Sequence, residues 1–207
     1  MKYITSLLCV LCCTVALAQK DMASLDPQVA DFTTKLESRN IDVYFTTTRY
    51  CNGDIQMFVM PDGSKCFSKG AYAATYIVWE EDDETRIKKM DNCGAFASVA
   101  LDDNNLFNYF KENVKDLQNN KVKPYEIAQT GGGPIQRTEI EDCHRKYKFV
   151  NETTEGTQEF KPFDLTNSAR EQNINHEYNQ ALAVTTLEGM MDKAIAALES
   201  NAGNKRL

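Results

Sequence analysis

Apolar positions recur along the chain with two different periods, and the switches between them outline its elements. Leu25, Val29, Phe32 and Leu36 stand at helical spacing. Asp26, after the first of them, is suited to capping free amides and Pro27 to a first helical position, which predicts a helix over 27–38. From Ile41 the period falls to two: Ile41, Val43 and Phe45 alternate with Asp42, Tyr44 and Thr46 in a β-branched, aromatic run. Asn52-Gly53 then separates the runs 46–51 and 54–59. Both residues tolerate positive φ, so the pattern predicts a tight hairpin. Residues 61–64 form a second turn, and 71–80 and 85–90 predict two more strands joined by Glu81-Asp82-Asp83. The expectation is a meander of four or five antiparallel strands. Tyr72, Tyr76 and Val78 fall on one face of its third strand, and Ala71, Ala73, Ile77 and Trp79 on the other. A sheet apolar on both faces is either sandwiched by helices or wraps a cavity.

Leu106, Phe107, Phe110, Val114 and Leu117 make the stripe of a second helix, opened by Asp102-Asp103 and stopped at Asn119-Asn120. A strand is predicted over 122–127, a loop at Thr130-Gly131-Gly132-Gly133-Pro134, a further strand over 135–150 and a polar turn over 151–156. Ser168-Ala169-Arg170-Glu171 reads as a capping box that opens a C-terminal helical segment, 167–199. Its stripe does not hold one direction. Ile174, Tyr178 and Leu182 share one side, while Val184, Leu187, Met191, Ile195 and Leu198 lie about 150° round from them. Either the helix breaks near 185–189 or its halves face different partners. Tyr76, Trp79, Leu187, Met190, Met191 and Ile195 are therefore the candidate ligand or partner surface. The expected fold class is α+β: an antiparallel meander packed by N-terminal, middle and C-terminal helices, in a single domain over 19–207.

The first eighteen residues read differently. Lys2 supplies a positive start, residues 4–15 are apolar, and Ala16-Leu17-Ala18 has the small-x-small form of a cleavage site. A membrane anchor needs about 20 apolar residues, and Gln19-Lys20-Asp21 interrupts the run too early. Residues 1–18 are thus an expected signal peptide, which leaves 189 of the 207 residues in a secreted chain with no membrane span. The leader takes one of the 23 basic residues, leaving 22 against 30 acidic ones and a net charge of −8. That balance, without a basic stripe, argues against nucleic acid and anionic membrane surfaces as partners.

The leader also takes three of the seven cysteines, leaving Cys51, Cys66, Cys93 and Cys143. An even set in an oxidising compartment predicts two disulfides. In the meander, Cys51 and Cys66 lie at opposite ends of a strand roughly 20 Å long. Disulfide-bonded Cα atoms sit about 4.4–6.8 Å apart, so Cys66–Cys93 and Cys51–Cys143 are the expected pairs.

Little else points to chemistry. His144 follows Cys143, whose oxidation would remove the thiolate that a Cys–His pair needs. His176, between Asn175 and Glu177, reads as a solvated surface residue. There is no G-x-S-x-G elbow. The Glu80–Glu84 run lacks calcium-loop spacing, and Gly131-Gly132-Gly133 lacks the Gly-Lys-Ser/Thr of a phosphate loop. No catalytic, cofactor or metal site is expected. Asn151-Glu152-Thr153 is the sole glycosylation sequon. These features favour a secreted, non-enzymatic extracellular binding protein, a carrier of a hydrophobic small molecule or lipid. The alternatives are a signalling or inhibitory factor acting on an extracellular protein, or an unrecognised secreted hydrolase.

Overall fold

The computed structural model describes residues 19–207; the expected signal peptide, 1–18, lies outside the described residues. The chain starts with β1 (Gln19–Lys20), a 3-10 turn at Met22–Ser24 and α1 (Leu25–Glu37). Next come β2 (Val43–Cys51), the short β3 (Met57–Val59) and β4 (Lys65–Ser68), and the hairpin of β5 (Ala73–Glu81) and β6 (Glu84–Asp91). β7 (Gly94–Ala95) and β8 (Val99–Ala100) lead into α2 (Asn105–Asn119). β9 (Glu126–Ile127) and β10 (Ile135–Gln136) precede a second long hairpin, β11 (Cys143–Asn151) and β12 (Thr154–Phe160). A 3-10 turn at Pro162–Leu165, α3 (His176–Gln180) and α4 (Ala183–Ser200) complete the elements.

The long strands form one antiparallel sheet in the order β12-β11-β2-β5-β6-β7, with β8 also paired to β6. Both its faces are apolar, and helices cover both. On one, Phe45, Tyr76, Val78, Ile87 and Phe149 pack with Phe107, Phe110 and Leu117 of α2 and Leu187 and Met191 of α4. On the other, Tyr44, Ala73, Ile77 and Trp79 pack under Leu25 and Leu36 of α1. The α+β class and the alternation along residues 71–80 are as the sequence predicts. Of the two outcomes expected for such a strand, helices on both faces is the one found.

The meander itself needs correction. Asn52-Gly53 does not make a hairpin: β2 pairs with β11 and β5, whereas β3 leaves for a separate three-stranded sheet, β1-β4-β3. Only Gly53 has positive φ, at 83°, and the Asp54 amide donates to the Cys51 carbonyl. A hairpin matched to strand twist needs positive φ at both turn positions. That geometry appears instead at Asp82 (φ 55°) and Asp83 (φ 63°), which join β5 to β6.

The predicted polar turn at 151–156 is mostly strand, since β12 starts at Thr154. It is an edge strand whose exposed Glu155, Thr157 and Glu159 alternate with half-buried Gly156 and buried Gln158 and Phe160, which masks its period. A Cβ on Gly156 would meet Gln118 Cα at 2.8 Å, so α2 rests directly on this backbone. Of the strand predicted over 135–150, only the ends are strands, β10 and β11. Of 122–127, only Glu126–Ile127 is a strand.

The C-terminal segment breaks earlier than expected. Ser168 opens no helix; its Oγ accepts from the Arg170 amide within a turn. α3 stops at Gln180, and Leu182 is extended (φ −73°, ψ 140°) before α4 begins. Buried Asn side chains stabilise this non-helical stretch. Asn179 Nδ2 donates to the carbonyls of Lys123 and Asp164, and Asn173 Nδ2 donates to those of Asp164 and Thr166.

Both disulfides have the expected pairing. Cys51 and Cys143 are register partners on β2 and β11, and Cys66–Cys93 ties the small sheet to the end of β6.

Candidate binding groove

α4 lies across the sheet with its apolar face in the core, and a charged cluster joins it to β2 and β11. Glu188 accepts from Arg145 Nε at 2.7 Å, pairs with Arg49 Nη2 at 3.0 Å and accepts from the Tyr147 hydroxyl. Tyr147 is fully buried. Burial and the neighbouring Glu188 carboxylate push its hydroxyl well above the usual range, so it stays a donor. With its Leu187–Met191 face down in the core, α4 presents Met190, Ala194 and Ala197 toward the segment between β8 and α2.

A groove of about 370 Å³ opens there. Leu101, Leu106, Met190, Ala194 and Ala197 line it with apolar groups, while Asp102, Asp103, Asn105 and Lys193 supply its polar positions. A second hollow of about 240 Å³ shares Leu101, Asp102 and Ala197 and extends to Ser200 and Asn201. The groove's size is at the lower end for sites that take drug-sized molecules, roughly 300–1,000 Å³.

The six candidate surface residues divide. Tyr76, Trp79, Leu187 and Met191 are buried and belong to the core, and Ile195 packs against it half-buried. Met190 alone of the six lines the groove; Trp79 lines a different cleft, under α1. The α2 side of the groove was missed because Leu101 falls outside any periodic run and Asp102-Asp103 reads as a helix cap. The N-cap position is in fact Asn104, whose Oδ1 accepts from Thr85 instead of capping; Asp103 Oδ1 accepts from the Asn105 amide at 2.9 Å.

The histidines take no part in the groove. His144 Nε2 faces Asp142 Oδ1 at 3.0 Å and Nδ1 faces Glu159 Oε1 at 3.1 Å, and its ring stacks on Tyr50. Its neighbour Cys143 is in a disulfide, which removes the nucleophile from that pair. His176 is half-buried at the start of α3. Among the described residues no group of three His, Cys, Asp or Glu is placed to hold a metal ion. Asn151 ends β11 at the hairpin tip, followed by the exposed Glu152 and Thr153.

Hydrogen bonds from Lys161 and Asn52, aided by His144, hold the Asp142 carboxyl down at about 2 from an ordinary value of 3.8. A depressed carboxyl contributes stability above its unfolded value and loses it as pH falls through the folded one. Acid stability should therefore decline between about pH 4 and 2. Lys161→Ala, which lets the folded carboxyl rise back toward 3.8, should lower stability near neutral pH and make this acid decline shallower in urea titrations; coincident acid limbs would contradict this assignment.

No family model matches the chain, and comparisons with curated proteins and with solved structures return no match.

Proposed function

We propose that the protein is a secreted, non-enzymatic binding protein that carries an apolar small molecule in the groove between α4 and the β8–α2 segment. The observation that supports this reading is the groove's apolar wall, from Leu101 to Ala197, with polar groups among its lining. An aliphatic or aromatic body would be desolvated against Leu106, Met190 and Ala194, while Asp102, Asn105 and Lys193 stand ready for a polar end. The two disulfides are compatible with an extracellular location, and among the described residues no helix is long and apolar enough to cross a membrane.

The neutral dye N-phenyl-1-naphthylamine tests the groove. Its emission should rise saturably with the wild-type protein. Ala197→Trp, at an exposed position that lines both hollows, should weaken binding about tenfold, the equivalent of roughly 1.4 kcal/mol. Unchanged affinity in a folded Ala197→Trp variant would refute the groove as the site.

A protein partner is the second reading, favoured by the outer side of β3. Ile55, Met57 and Val59 are 63%, 53% and 68% exposed there, while Phe58 packs inward on Tyr72. Native mass spectrometry of the protein from its own fluid separates the two readings. A retained lipid supports the groove; a bound protein lost on Val59→Asp supports the small sheet.

A further inference from the structure

We infer a second ligand site, on the opposite face of the main sheet from α4, that takes a flat organic anion such as an aromatic sulfonate or carboxylate. It is a cleft of about 450 Å³ between the C-terminal half of α1 and the β5–β6 hairpin. Phe32 and Trp79 meet edge to face inside it, with ring centroids 5.3 Å apart. Lys35, Arg39 and Arg86 supply three cations, and Glu81 is the one carboxylate in the lining.

The register explains why these groups converge. Trp79 pairs with Arg86 across β5 and β6, and Ile77 with Lys88, so all four side chains share the face that α1 covers. Phe32 and Lys35 of α1 and Arg39 just beyond it close the other side. Glu81 is shared: Arg39 Nη1 donates to it, Arg86 Nε lies 3.5 Å away, and the Trp79 indole N–H donates at 3.4 Å. Glu81 thus stands between two guanidinium groups, while at the exposed rim Arg86 Nη2 also pairs with Glu84 at 3.1 Å and Lys35 with Asp31 at 2.6 Å.

Lys88 adds to the positive potential from beneath. Its ammonium sits 5.2 Å from the Phe32 ring centroid, donates to the Phe96 carbonyl and has no ion-pair partner among the described residues. In a chain of net charge −7 including the leader, a cation-rich cleft with an aromatic floor would select anions that also carry a ring. A planar anion would lay its ring on Phe32 and set its charged group between Arg39 and Arg86, in competition with Glu81.

Two dyes with the same ring system test this. 1-Anilinonaphthalene-8-sulfonate and N-phenyl-1-naphthylamine differ by one sulfonate, and both are titrated in the Ala197→Trp background so that the α4 groove is blocked. The sulfonate should bind and the neutral dye should bind at least about fivefold more weakly. That is the size of one partly exposed charge pair.

Glu81→Gln, which frees Arg39 while Arg86 keeps Glu84 at 3.1 Å, should tighten sulfonate binding severalfold in a protein whose near-UV circular dichroism matches wild type, a control needed because loosened chains also bind this dye. Arg39→Gln should weaken it about fivefold. Should Arg39→Gln fail to fold, Lys35→Gln, at a side chain 66% exposed, takes its place. Equal affinities for the two dyes would overturn the inference, as would sulfonate affinity unmoved by Glu81→Gln and by the cation variant. Either result leaves the neutral-dye test of the α4 groove standing on its own.

Discussion

Arg206→Ala is expected to cost about 3–5 kcal/mol of stability, the range for removing one partner of a buried ion pair. Asp91 is fully buried, and Arg206 meets both of its carboxylate oxygens at 2.6 Å. The Cys93 amide at 2.8 Å and the Tyr72 hydroxyl at 3.2 Å, both neutral, also donate to that carboxylate. Burial and the Asp91 carboxylate push the Tyr72 hydroxyl far above its ordinary value, so it remains a donor. The variant would strand a charge in the interior and also lose the guanidinium from between the Phe58 and Phe96 rings, 5.0 and 4.4 Å from their centroids.

At roughly 2–4 °C per kcal/mol for a domain of this size, the melting temperature should fall by about 6–20 °C. Arg206→Lys keeps the charge but not the fork and should fall between. Asp91→Asn placed in the Arg206→Ala background should recover part of the loss, because the stranded charge is gone. An Arg206→Ala variant within about 1 kcal/mol of wild type in urea unfolding would refute this account.

Glu188→Ala should have a comparable effect, again about 3–5 kcal/mol. Glu188 is 7% exposed and joins α4 to β2 and β11 through Arg49, Arg145 and Tyr147. Without it, Arg145 loses its carboxylate, the buried Tyr147 hydroxyl loses its acceptor and Arg49 keeps, among the described residues, Asp192 at 2.5 Å. Glu188→Gln preserves an acceptor and should cost less. The two variants also bear on binding, since α4 is one wall of the groove. Neutral-dye affinity should fall with Glu188→Ala further than with Glu188→Gln, measured below the unfolding transition. A stable Glu188→Ala protein with intact dye binding would show that α4 is held by its apolar face alone.

What was legible in the sequence follows from how local each signal is. The stripe from Leu106 to Leu117 and the two faces of residues 71–80 are read within one element, and both match the structure. The disulfide pairing was also correct, although Cys51 and Cys143 prove to be direct neighbours on paired strands rather than leftovers of a simple meander. β12 escaped notice because an edge strand facing solvent carries Thr and Glu where a central strand carries Val and Ile. Asn52-Gly53 misled because a turn dipeptide states a backbone preference, whereas the long register of β2 with β11 is a tertiary fact.

The sites were less legible still. Neither cleft is a motif; each is a space between elements distant in sequence. Met190 was in view, but its facing wall at Leu101 was not. Trp79 was singled out as a surface residue, yet its ring is core and only its position beside Phe32 and Arg86 makes a cleft. The cationic set there, Lys35, Arg39 and Arg86, is dispersed along an acidic chain and gives no local signal.

The Asp91–Arg206 pair also orders events in time. Its members are 115 residues apart, so during synthesis Asp91 emerges well before the side chain that neutralises it. At 5–20 residues per second the interval is roughly 6–23 s. The hairpin that carries Asp91 can form during that interval, but its carboxylate has to stay hydrated, which keeps that corner of the sheet open. Closure of that corner is thereby coupled to the arrival of Arg206, which joins the end of β6 to a segment 115 residues later.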